Sequence, residues 1–172
     1  MKHAFLNHNK AVPVVSPGTA TTSAIDSDWV GLAHGAGVVF TVIVNEGRAS
    51  TADDNTVTLR QATSAAGDDA KTLIPRRAYV RASGTNLAAA AAATPSVIEA
   101  ENGAIDIHVD GDMTSIIEIE IDASELDVNS DFTHVQARLA SVGSSTTTVG
   151  ITAIVTDLHH VMDPTELPNV LA

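Results

Sequence analysis

The chain has 172 residues and no cysteine, which suits one domain and removes disulfide frameworks, thiolate metal sites and thiol catalysis together. Its net charge is −12, from 21 acidic residues against nine basic ones. A polyanion repels phosphate backbones, so direct nucleic-acid binding is not expected. No run of about 18 apolar residues is present, and the N-terminal MKHAFLNHNK has no signal-peptide core, so neither a membrane role nor export is expected.

Residues 1–25 carry Pro13, Pro17, Gly18 and many Ser and Thr with little periodicity, and read as an extended N-terminal arm. A body over 26–156 follows. Trp29 to Leu32 is a short strand, and Val38 to Val44, nearly continuous in apolar residues, predicts a central strand buried on both faces. Val57 and Leu59 alternate with Thr56, Thr58 and Arg60, which marks a half-buried strand. Arg77 to Ala82 is another short strand. Leu87 to Ala93 contains six alanines, the best helix formers, but is too short to meet the cost of nucleation alone. A loop or plain strand is expected there, with a short helix as the open alternative.

Ile105 to Val109 reads as a strand. In Ile117 to Asp122 three isoleucines share one face and Glu118, Glu120 and Asp122 the other, a face expected to meet solvent or basic partner patches. Ser124 to Asp127 suits one helical turn capped by Ser124 or Asp122. Two further stripes, Thr133 to Leu139 and Val149 to Val155, complete the pattern. About eight short strands separated by Gly, Asn and Asp turns predict an all-β protein, an antiparallel β-sandwich or jelly-roll-like body. Residues 157–172, with Pro164 and Pro168, read as a C-terminal tail.

Few constellations suggest chemistry. Asp106, Asp110 and Asp112 resemble the front of a calcium loop, yet His108 occupies the third position and Ile117 the twelfth. Asp127, Asn129 and Asp131 repeat the oxygen spacing, with Phe132 where a Gly is wanted and Arg138 at the twelfth position. Both read as β-turns, weak candidates for a divalent ion. His159 and His160 would point to opposite faces of a strand, so a shared metal would need His3 or His8 to fold back. There is no G-x-S-x-G, no P-loop and no G-x-G-x-x-G. The expectation is a protein with no cofactor and no catalytic residues.

Two segments carry a resemblance. Thr56 to Lys71 (TVTLRQATSAAGDDAK) resembles the TLxQATxAAGxxAK segment of a family of small tailed-phage structural proteins. Asp122 to Val128, with Phe132 to Ala137, is similar to that family's xxELDVxxGFxxVRA segment, although Ser130-Asp131 stands where a Gly-containing turn is expected. Leu158 to Pro164 and Leu167-Pro168 resemble its closing strand and tail. The resemblance implies a capsid decoration or cement protein on the virion exterior, made in the host cytoplasm. Its expected partners are the major capsid protein and further copies of itself, gripped through 1–25 and 157–172. The alternatives are a head-fibre, host- or glycan-binding module, or a head–tail or tail-tube component.

Overall fold

The computed structural model describes residues 9–21, 23–33, 36–46, 55–75, 78–83, 87–94, 96–98, 104–107, 113–141 and 147–156. Twelve strands lie among them, eight of four residues or more, and every pairing is antiparallel. In chain order they are β1 (Lys10–Thr21), β2 (Ile25–Asp26), β3 (Val30–Gly31), β4 (Gly37–Glu46), β5 (Asn55–Ala62) and β6 (Lys71–Leu73). Then come β7 (Ala78–Ser83), β8 (Ser96–Ile98), β9 (Ala104–Ile107), β10 (Met113–Asp122), β11 (His134–Ser141) and β12 (Thr147–Thr156). Among the described residues one α-helix, α1 (Leu87–Ala92), precedes β8. The strands form two six-stranded sheets in a sandwich. Sheet A runs β1-β12-β4-β10-β7-β8; sheet B runs β2-β11-β5-β6, with β3 on β11 and β9 on β5.

Alternation decides which face enters the core. On β12 buried and half-buried residues alternate without a break from Thr147 to Thr156. Ile117, Ile119 and Ile121 of β10 are fully buried, as the period of two requires. They meet Phe40, Leu59, Leu139 and Ile151 in one core of small aliphatics. β4 lies at the centre of sheet A, paired over its ten residues with both β12 and β10. Its burial departs from expectation. Val38, Phe40, Val42 and Val44 are buried, whereas Val39, Thr41 and Ile43 on the other face are only half-buried.

The N-terminal segment also departs. Residues 10–21, expected within an extended arm, pair with β12 as an edge strand of sheet A. Two bulges hide the strand period. Pro13 faces Thr152 and Val15 faces Ile151, so Val14 is extra; Val15 to Thr19 then spans only Ile151 to Val149. Val14 and Val15 are consequently both buried, and the Asp28 N–H donates to the Val14 carbonyl at 3.2 Å, tying β1 to the segment after β2. Pro13 and Pro17 are tolerated because β1 is at an edge. The tail, 157–172, lies outside the described residues.

The alanine run is α1, the alternative left open. Ala90 is 0% exposed and the helix packs against β7 and β10. That contact supplies what an isolated turn of alanines lacks. Asp122 accepts the Ser124 N–H at 2.7 Å and so caps the 3-10 turn Ala123–Glu125, one of the two caps anticipated.

Candidate functional site

The two segments bearing the resemblance lie far apart in sequence and meet at one end of sheet B. β5 pairs with β11 so that Gln61 faces Val135 and Ala62 faces His134. The Thr133 N–H extends the ladder to the Ala62 carbonyl at 3.1 Å. This register places the side chain of Gln61, 6% exposed, beneath the β10–β11 connection, where its Oε1 accepts the Asp127 N–H at 2.8 Å. β6 brings Lys71 beside Gln61, and the Lys71 Nζ donates to Asp127 Oδ2 at 2.5 Å. The same ammonium lies 4.1 Å from the centre of the Phe132 ring, a cation–π contact. The Lys71 hydrogen bond holds the Asp127 carboxyl below its ordinary value of 3.8.

A second contact braces the same end. In the β5–β6 loop the Thr63 N–H donates to the Asp68 carbonyl at 3.1 Å, and the Ser64 hydroxyl donates to Asp68 Oδ2 at 2.6 Å. Gly67 closes the loop with φ +82°, against the indole of Trp29: a Cβ there would stand 2.7 Å from Trp29 Nε1. The Arg60 guanidinium carbon is 5.8 Å from the Trp29 ring centre. Trp29 is thereby occupied by its own chain. His134, whose Nδ1 is 3.0 Å from Thr133 Oγ1, is partly buried, and burial pushes its pKa below 6.5.

Asp127, Asn129 and Asp131 lie in a 3-10 turn, Val128–Ser130, that ends with Asp131 in the left-handed region at φ 62°. Its turn character follows the expectation, and Asp127 is engaged by Lys71. Asp106 lies on β9, opposite Thr56, and Asp110 and Asp112 fall outside the described residues. So do His3, His8, His159 and His160. Among the described residues no group of three or more His, Asp or Glu gathers to hold a metal. The expected acidic face is mixed: Glu120 and Asp122 are exposed, while Glu118 pairs with Arg81 at 2.7 Å. Sequence reading passed over the roles of Gln61, Lys71, Phe132 and Trp29, though the first three lie inside the segments it singled out. Chemically the corner is a latch: its donors and acceptors are matched to one another, and it fastens the β5–β6 hairpin to the β10–β11 connection.

No protein-family model matches the chain, and no curated protein matches it in sequence. Among solved structures it is similar to YomS, a protein derived from the SPBc2 prophage, at 10% identity and a TM-score of 0.41, over 87% of this chain and 93% of that one. A structure of the infectious bursal disease virus Gx strain aligns at 10% identity and a TM-score of 0.20, over 87% of this chain and 38% of that one. The VP2 subviral particle of the same virus aligns at 12% identity and a TM-score of 0.20, over 92% of this chain and 43% of that one. At these scores the likenesses transfer neither residue roles nor function.

Proposed function

We propose that the chain is a non-enzymatic structural protein of a tailed-phage virion, which decorates or cements the capsid exterior by bridging major capsid subunits. The observation that carries this reading is the latch. The two segments that resemble small tailed-phage structural proteins, Thr56 to Lys71 and Asp122 to Ala137, supply Gln61, Lys71, Asp127 and Phe132 to a single corner. Paired residues in two distant motifs give a physical reason for the motifs to occur together.

The charge fits the outside of a shell, since −12 disfavours contact with packaged DNA. Cementing needs only a few kcal/mol per copy, because lattice symmetry multiplies each contact. With β1 committed to sheet A, the gripping segments narrow to residues 1–9 and 157–172, which would reach capsid subunits by adding to exposed edges. A glycan-binding role would want an open aromatic platform, and Trp29 is already covered by Gly67 and Arg60.

The test mixes the purified chain with expanded shells that lack it and measures co-sedimentation. Saturable binding in near-stoichiometric proportion to the major shell subunit is expected, weakened when residues 157–172 are removed. Failure to sediment with shells would reject the reading.

A further inference from the structure

Residues 63–73 are joined to the rest of the molecule by few attachments. β6 ends sheet B and pairs, among the described residues, with β5 alone, over the three residues from Lys71 to Leu73. The loop before it is bonded to itself. The Ala66 N–H donates to Ser64 Oγ at 3.2 Å and the Gly67 N–H to the Ser64 carbonyl at 3.1 Å, beside the bonds from Thr63 and Ser64 to Asp68. Such a loop moves as one piece. Its two ends are fixed: the Ala62 carbonyl accepts the Thr133 N–H in the sheet, and Pro75 is buried.

Two catches hold this piece down, one on each face of sheet B. Leu59 and Gln61 of β5 face inward, and Lys71, in register with Gln61, shares their side; there its ammonium meets Asp127 and the Phe132 ring. Arg60 faces outward, and on its side the Trp29 indole lies against Gly67. The inner catch is open to water, with the Lys71 side chain 43% and the Asp127 side chain 35% exposed. Ion pairs and cation–π contacts so exposed hold weakly. Between the catches Asp69 keeps φ 54°, a left-handed conformation that is costly to a residue with a side chain.

We infer that residues 63–73 form a flap that opens as a unit and is released from either catch. Opening frees the ladder edge of β5 from Leu59 to Gln61 and uncovers Leu73, which is 3% exposed when the flap is shut. A short edge ladder with few buried apolar contacts belongs to the low end of local stability, so the flap opens without the rest of the sandwich. The self-bonded loop transmits the motion. Letting go at Lys71 draws Gly67 away from Trp29, although the two catches lie on opposite faces of the sheet. A latch that only pinned Lys71 would leave Trp29 undisturbed.

Residue-resolved amide exchange on the full chain, read together with the emission of Trp29, the sole tryptophan, tests this. In the wild type, residues 63–73 should exchange faster than β11. Lys71→Gln should quicken exchange over the whole of 63–73 by about three- to tenfold and red-shift Trp29, with β10 and β11 unchanged. Asp127→Asn removes the same catch from its other partner and should match it. Gly67→Ala, acting from the outer face, should carry its effect through to Leu73. Quickening confined to Lys71 and its neighbours, with Trp29 emission unchanged, overturns the flap. So does exchange over 63–73 as slow as in β11, or an equal quickening of both sheets in all three variants. Shell binding is read separately: a chain that ignores shells sinks the capsid reading and leaves the flap standing.

Discussion

Ser115 of β10 faces inward in register with Val44 and Ala82, is 1% exposed, and has an Oγ with no hydrogen-bond partner among the described residues. A buried hydroxyl left unanswered costs about 1–3 kcal/mol. Ser115→Ala should therefore raise the melting temperature, by about 1–2 kcal/mol in stability; a lower one would show that the hydroxyl is satisfied. At Gly67 both φ +82° and the nearness of Trp29 forbid a side chain. Gly67→Ala should cost about 1–3 kcal/mol and red-shift the emission of Trp29, the sole tryptophan; unchanged emission counts against the packing. His134 adds a pH dependence. Because burial lowers its folded pKa, the unfolded chain takes up the proton first. The stability it contributes is present above about pH 6.5 and is lost as pH falls through the lower folded value. His134→Gln should flatten the loss of denaturation midpoint between neutral pH and about pH 5; an equally steep loss would place the titrating group elsewhere.

Among the elements, β1 shows most clearly how tertiary context overrides local pattern. Its bulges turn Val14 and Val15 the same way, so the period of two that marks β5, β10 and β12 in the sequence is absent there. β2, β6 and β8, at two or three residues, are too short to carry a period at all. The alanine run is similarly ambiguous: propensity favours helix, nucleation opposes it, and the packing of Ala90 on β7 and β10 decides. β4 reads as buried on both faces because its outward residues are β-branched too, and only the structure shows Val39, Thr41 and Ile43 to be half-buried. The second bulge of β1 is held by Gly150, where a Cβ would lie 3.0 Å from Pro17 Cα. Gly150→Ala should push the edge strand away. Amide exchange is expected to quicken along β1 and stay slow in β10, at a cost of about 1 kcal/mol. Uniform acceleration through both sheets would mean that β1 does not open independently.

For the molecule as a whole, alternation of Ile, Val and Thr with polar residues was enough to read a two-sheet antiparallel body. The latch was not readable from spacing. Lys71 and Asp127 are separated by 56 residues, and nothing local in either segment encodes a partner for the other. By contrast, the cap of Asp122 on Ser124 is a two-residue matter and could be anticipated. The proposed function makes this sandwich, closed at one end by the latch, one tile among many on a shell. Cryo-electron microscopy of purified phage particles tests that most directly. The account predicts sandwich-shaped density on the outside of the shell, repeated at regular lattice positions in near-stoichiometric proportion to the major capsid protein. Particles whose shells are bare of the chain, or that carry it only in the tail, would contradict it.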